Sequence, residues 1–198
     1  MNTILIATAN PGKAAEYRKI FAQKDVKVHT LADLEHKYEI EENGTTFAQN
    51  ASIKANTLMS ALKLPVLADD SGLMVDALNG APGIHSARYA GDHDDEANKR
   101  KLLQELKNVP AEQRAACFHC SIVVVKPGAK SLLVTGEVHG RILFHERGTD
   151  GFGYDPLFYY PPLKKSFAEL SMEEKNRVSH RGRAVKKLQR VFDQWWKA

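Results

Sequence analysis

A β-branched apolar run, Thr3 to Thr8, stops at Asn10-Pro11-Gly12, and helical spacing begins directly behind it. No other feature constrains the chain as much. A buried strand that feeds a turn and then a helix opens a βα unit, and such a unit requires a sheet covered by helices. The pattern continues. Tyr17, Ile20 and Phe21 mark one face of a helix from about Ala14 to Gln23, and Val26 to His29 reads as a second strand. Behind the Asn43-Gly44 turn, Thr46 and Gln49 have capping-box spacing. Phe47, Ala51, Ala55, Leu58, Met59 and Leu62 then recur at helical intervals, a core-facing stripe.

Pro65 to Ala68 reads as a buried strand that ends at Asp69-Asp70-Ser71-Gly72. Leu73 to Leu78 reads as another, closed by Asn79-Gly80-Ala81-Pro82-Gly83. Asp94 to Lys107 is a charged amphipathic helix whose acidic start suits the helix dipole. Cys117 to Val125 and Ser131 to Phe144 are β-rich runs separated by Pro127-Gly128, the signature of a hairpin. Arg147 to Pro156 is a glycine-rich loop, Ser171 and Glu174 open a short capped helix, and a last helix runs from about Arg181 to Trp196. Alternation early and a hairpin late predict an α/β fold with a mixed sheet. At 198 residues, one domain, bilobed at most, is expected.

Charge narrows the partners. Lys+Arg 28 against Asp+Glu 24 gives +4, which suits an anionic ligand without demanding nucleic acid. Two cysteines exclude a disulfide scaffold, and no apolar stretch approaches the roughly 20 residues of a membrane span. The first residues lack a basic segment ahead of the apolar run, so a cytoplasmic protein is expected.

Four segments carry possible chemistry. Thr8-Ala9-Asn10-Pro11-Gly12-Lys13 offers backbone N–H groups and an ammonium at a helix start, an arrangement that holds anions; a plain capped turn accounts for it equally. Glu41, Glu42, Asp69 and Asp70 form an acidic set suited to Mg²⁺, which takes one or two carboxylates plus waters and phosphates. Adjacent strand residues face opposite ways, so one of Asp69 and Asp70 enters the site and the other supports it. Phe152-Gly153-Tyr154-Asp155 combines two aromatic faces with a carboxylate able to accept from a base. Lys175, His180 and Arg181 belong to the densest basic region, with Lys186, Lys187 and Arg190 beyond. Cys117 and Cys120 have C-x-x-C spacing, but three residues along a strand they face opposite ways and cannot share a tetrahedral zinc. A serine-hydrolase reading fails for want of a G-x-S-x-G elbow.

In this order the segments, together with Thr45-Thr46-Phe47, Asn50, Lys54, the run Gly80 to Tyr89, Glu174-Lys175-Asn176 and Ser179 to Gly182, resemble the inosine triphosphate pyrophosphatase family, also described as XTP/dITP diphosphatases. Ala9 stands where that family often has glycine, and Gln49 where bacterial members often carry glutamate. The resemblance implies an elongated mixed sheet flanked by helices, with a cleft between two lobes. It implies a Mg²⁺-dependent pyrophosphatase, a homodimer, and purine nucleoside triphosphates (ITP, dITP, XTP) as substrates. By position, Thr8, Ala9, Asn10, Pro11, Gly12 and Lys13 would bind the triphosphate, with Lys54 a further phosphate contact. Asp70 would be the general base and a metal ligand, joined by Glu41 or Glu42. Ser71, Phe152, Gly153, Tyr154, Asp155, Lys175, His180 and Arg181 would bind substrate. The run Gly80 to Tyr89, through Pro82, Ile84 and Tyr89, is expected at the subunit interface. Two rival readings are a Maf-type nucleotide pyrophosphatase and a nucleic-acid-binding module that uses the basic C-terminal region.

Overall fold

A computed structural model describes residues 2–24, 26–36, 38–92 and 94–197. Seven strands hydrogen-bond in the order β2-β1-β3-β4-β5-β6-β7. They are β1 (Thr3–Ile6), β2 (Lys27–Thr30), β3 (Val66–Val75), β4 (Ala115–Val125), β5 (Leu132–Ile142), β6 (Phe158–Tyr160) and β7 (Lys165–Ser166). β1 pairs in parallel with β2 and β3, whereas β5–β6 and β6–β7 are antiparallel. The sheet is therefore mixed, as the early alternation and late hairpin predict. Among the described residues five α-helices accompany it: α1 (Pro11–Phe21), α2 (Phe47–Leu62), α3 (Asp95–Glu105), α4 (Met172–Val178) and α5 (His180–Lys197). Among the described residues no helix is long and apolar enough to cross a membrane.

Caps explain where the helices start. Pro11 occupies the first turn of α1, where no N–H is missed, so the helix begins three residues before the apolar spacing predicts. Thr46 accepts from Gln49 N–H at 3.1 Å, but the Gln49 side chain turns to Thr45 N–H at 2.7 Å, so only half of the expected capping box forms. At α4 the box is complete, with Ser171 and Glu174 capping each other.

The clearest departure is β3. Asp69-Asp70-Ser71-Gly72 reads as a turn, yet the chain passes through it extended, as one strand of ten residues. Gly72 is not among the glycines with positive φ, and a strand buried on both sides tolerates the acidic pair because its side chains are partnered, as described below. Asp69 is buried and Asp70 half-buried, as opposite-facing neighbours should be. Strands β6 and β7 are too short to show in the sequence pattern.

The chain divides into two compact units. The first comprises Met1–Asp70, Ser121–Val134 and Val185–Ala198, and the second Ser71–Cys120 and Thr135–Ala184. In the first, Leu5 of β1, Ala7 just beyond it, and Val66 and Ala68 of β3 pack with Ala51, Ala55 and Leu58, the predicted stripe of α2. Phe21 meets Phe192 edge-on at 4.9 Å, and Trp196 stacks on Phe192 at 5.1 Å. The aromatics of α5 thus face inward while Lys186, Lys187 and Arg190 face solvent, an arrangement without the interleaving that a nucleic-acid reading needs. In the second unit Leu73, Leu102, Leu106, Phe118, Val138, Phe158 and Phe167 form the core. Arg114 is wholly buried there and donates to the carbonyls of Leu106, Ile142 and Leu143, which satisfies its guanidinium without a carboxylate.

The run Gly80 to Tyr89 is only partly free. Pro82 is buried and so is not available for contact with a second subunit. Ser86 ties the segment inward by donating to Gly83 C=O at 2.6 Å and accepting from Leu73 N–H at 2.9 Å. Tyr89 bonds Glu105 and has the Lys101 ammonium 4.2 Å from its ring centre. Ile84 and Tyr89 remain partly exposed.

Candidate active site

In the first unit, charge is concentrated at the start of α1, at β3 and at the loop before α2. Asn10 caps α1 by accepting from Gly12 N–H at 2.9 Å and Lys13 N–H at 3.1 Å, and Thr8 accepts from Asn10 N–H at 3.1 Å. The Asn10 side chain thus occupies two of the helix's free donors, a role in which asparagine ranks with the best caps. Pro11 and Gly12 complete the turn; Ala9, like them, is exposed, and Thr8 is buried.

Lys13 reaches across to β3 and pairs with Asp69 at 2.7 Å. Lys54, two turns into α2, pairs with Glu42 at 2.9 Å and points at Asp69 C=O from 3.4 Å. Asp70 lies in the same neighbourhood. Its burial raises its pKa above the ordinary aspartate value. Lys54 opposes that rise, Glu42 adds to it, the neighbouring Asn50 amide opposes it, and Asp69 adds to it. Asn50 is buried, and its carbonyl oxygen accepts from Gly44 N–H at 2.8 Å. Of the two glutamates left open by the sequence, Glu42 is the one engaged with Lys54 and felt by Asp70; Glu41 is exposed.

The donors suit a hard cation. All are carboxylate oxygens, Asp70 is half-buried, and Mg²⁺ needs only one or two such ligands beside waters and phosphate. Among the described residues the carboxylates do not close into one tight donor group, because Glu42 and Asp69 each hold a lysine. The same lysines are the groups a polyphosphate would draw.

The second unit holds the other predicted segments. In the loop before β6, Gly151 has φ +84, and a Cβ there would lie 2.3 Å from the Asp155 carboxylate. Glycine is thus required twice over. Asp155 is buried, accepts from Phe152 N–H at 2.8 Å and pairs tightly with Lys175 of α4. Its carboxylate thus fixes Lys175 and the loop. Tyr154, expected to offer a stacking face, is buried in the core and donates to Ser86 C=O at 2.9 Å. The exposed ring is that of Phe152, with the Lys175 ammonium 4.4 Å and the Arg181 guanidinium 5.9 Å from its centre. Gly153 donates to Asp95 at 2.7 Å, a contact to the first turn of α3 that nothing in the sequence suggests. His180 is buried and stacked on Phe118, rings 4.8 Å apart and 15° from parallel, and Arg181 beside it is buried too. Ser71 lies on β3, directly after Asp70 and half-buried.

His180 and Arg181 are placed by the first turn of α5 lying directly on β5. A Cβ on Gly136 would sit 2.2 Å from His180 C=O and 2.4 Å from Ala184 N. Gly136→Ala is therefore expected to push this turn away, at about 2–3 kcal/mol. For a chain of this size that lowers Tm by about 5–10 °C, checked by calorimetry.

Fold and site together define a mixed-sheet α/β protein with one lysine–carboxylate group around β3 and a second, aromatic and basic, around the loop before β6. A family model for the Ham1 family matches residues 4–191, and the chain belongs to that family. It is 52% identical over 194 residues (98% of this chain, 96% of the relative) to a protein of Lactiplantibacillus plantarum named dITP/XTP pyrophosphatase. It is 53% identical over 191 residues (96% and 94%) to a Listeria monocytogenes protein of the same name. Among solved structures, the Staphylococcus aureus Ham1 protein superposes with a TM-score of 0.91 at 44% identity, covering 97% of this chain and 98% of that one. A HAM1 protein from Coxiella burnetii gives 0.91 at 39% identity, covering 98% and 100%.

Proposed function

We propose that the protein hydrolyses deaminated purine nucleoside triphosphates (dITP, XTP and ITP) to the nucleoside monophosphate and pyrophosphate, with Mg²⁺ as cofactor, in the cytoplasmic nucleotide pool. The observation that carries this reading is the group around β3: two lysines held ready on carboxylates beside a half-buried Asp70 whose pKa is raised. Full-length relatives named dITP/XTP pyrophosphatase support the substrate class. The Maf-type reading is not favoured, since the Ham1 family match runs through nearly the whole chain.

In this reading Asp70 and Glu42 hold the cation, and Glu41 is released from that role. The cation, when bound, neutralises phosphate charge and lowers the barrier to attack on phosphorus. Lys13 and Lys54 transfer from Asp69 and Glu42 to the triphosphate, so the anion finds preorganised donors. The N-terminal end of the α1 dipole adds partial positive charge at the same end, with its first N–H groups held by Asn10. Asp70 takes the proton of the attacking water, whose oxygen bonds to the α-phosphorus as the bond to the bridging oxygen breaks and pyrophosphate departs. Its raised pKa makes it a better proton acceptor than an exposed aspartate.

The base falls to the second group. Phe152 offers its exposed ring for stacking, beside the cations of Lys175 and Arg181, and Ser71 is a further substrate contact. His180 and Arg181 are donors, and hypoxanthine and xanthine present an oxygen acceptor at C6 where adenine presents an amine. A buried donor that adenine leaves unmatched costs about 1–3 kcal/mol. Arg181→Ala is expected to cut ITP turnover about ten- to a hundredfold while leaving ATP turnover nearly unchanged, measured as the ratio of kcat/KM values. Product identity tests the reaction itself: phosphorus NMR should show pyrophosphate and monophosphate, and release of successive orthophosphates would overturn the proposal. We also propose a homodimer formed through Ile84, Tyr89 and their neighbours. Light scattering should give twice the chain mass, and a monomer at micromolar concentration would remove the claim.

A further inference from the structure

On the second unit, β4 and β5 place four chemistry-bearing side chains, none of them assigned a role above, on one face of the sheet. Cys117 and His119 are alternate residues of β4, and Glu137 and His139 are alternate residues of β5, so each pair shares a face. Ile142 N–H donates to Arg114 C=O at 2.9 Å, which sets the register between the strands. Three residues on along β4 and three back along β5, Cys117 stands opposite His139. Two further steps put His119 opposite Glu137. Directly opposed side chains in an antiparallel pair are the closest neighbours a sheet provides.

The contacts follow that register. One ligand atom each from Cys117, Glu137 and His139 lie within 4.8 Å of one another, the only such trio of His, Cys, Asp or Glu among the described residues. His139 Nε2 is 3.9 Å from one Glu137 oxygen, and His119 Nδ1 is 2.9 Å from the other. A thiolate and an imidazole around one tetrahedral zinc, at bond lengths near 2.3 and 2.0 Å, stand about 3.5 Å apart. The trio is within a side-chain rotation of that spacing. Cys117 is buried and His139 is 77% exposed, so a cation could enter from solvent past His139. Arg183 of α5 spends its donors on the carbonyls of Val178 and Glu137 and on Tyr160 OH, not on the Glu137 carboxylate.

We propose that Cys117, Glu137 and His139 form a binding site for a thiophilic divalent cation of the zinc class, with water in the fourth position and His119 holding the Glu137 carboxylate in place. The donor set separates it from the acidic group around β3. Oxygen donors there select Mg²⁺, whereas sulfur and imidazole here select zinc over magnesium. The cation would tie β4 to β5, the pair whose strands carry Phe118 and Gly136 against His180. The C-x-x-C spacing is irrelevant to the site, because Cys120 faces the other way; the sequence pattern that matters is C-x-H on one strand and E-x-H on the next.

The test is a cobalt(II) titration of the full chain in saturating Mg²⁺, read by the sulfur-to-cobalt charge-transfer band, which oxygen ligands cannot produce. The band should appear, be displaced by zinc, and persist in Cys120→Ala. It should be absent in Cys117→Ser. In His139→Ala, at a position exposed enough to leave folding intact, cobalt affinity should fall at least about tenfold, and the rise in Tm on adding zinc should vanish with it. No band in the unmodified chain, or a band that His139→Ala leaves at full affinity, overturns the proposal.

Discussion

Asp70→Asn is expected to lower kcat about a hundred- to ten-thousandfold, the span usual for loss of a positioned general base. The amide cannot take the proton of water and is a poorer ligand for Mg²⁺. Substrate affinity should fall far less, because Lys13, Lys54 and the second group are untouched. Stability supplies the control. Burial raises the pKa of Asp70, so the folded state holds that proton more tightly than the unfolded state does. The ionised carboxylate therefore costs stability above the raised pKa, and the cost fades as pH falls through it. Asparagine removes the cost. Above the raised pKa the variant should melt at the same temperature as the parent or higher, which separates lost chemistry from a damaged fold. Near-normal kcat at saturating Mg²⁺ would show that Asp70 is not the base.

Lys13→Ala should have two effects that separate. The first is on the reaction. Loss of a charge-assisted hydrogen bond to phosphate is typically about 1.5–3 kcal/mol, or roughly ten- to a hundredfold in kcat/KM. It should be equal for ITP and XTP, since in the proposed reading Lys13 contacts phosphate and not base. The second is on the fold. Asp69 is 2% exposed and Lys13 is its partner at 2.7 Å, so the variant leaves a buried carboxylate short of its counter-ion. The cost is about 2–3 kcal/mol, moderated because the Lys13 side chain is partly exposed. The double variant Lys13→Ala/Asp69→Asn should regain much of the lost Tm and none of the lost activity. A Lys13→Ala protein that keeps its phosphate affinity but loses base selectivity would reverse the orientation assigned to the substrate.

Much of this architecture is legible in the residues. Asn10, Thr46 and Ser171 announce helices because a cap is a local matter, decided within four residues. The stripe of α2 is legible because periodicity needs no partner to be seen. β3 is misread because Asp-Asp-Ser-Gly has turn composition, and only tertiary partners make an extended path through it tolerable. Lys13 and Asp69 are 56 residues apart, and no local rule joins them. The same holds for Gly153 and Asp95. Tyr154 and Asp155 look available in a glycine-rich loop, but the loop folds back over them: Tyr154 enters the core and Asp155 pairs with Lys175. Glu41 and Glu42 cannot be told apart by type or position, and the side chain of Lys54 distinguishes them.

The most direct test of the central claim is a pyrophosphate-release assay across ITP, dITP, XTP, ATP and GTP, with and without Mg²⁺. The account predicts that the three deaminated nucleotides are cleaved about ten- to a hundredfold or more faster than ATP, only with the cation present, and that pyrophosphate is the product. Equal kcat/KM for ITP and ATP, or full activity after the cation is removed, would contradict it.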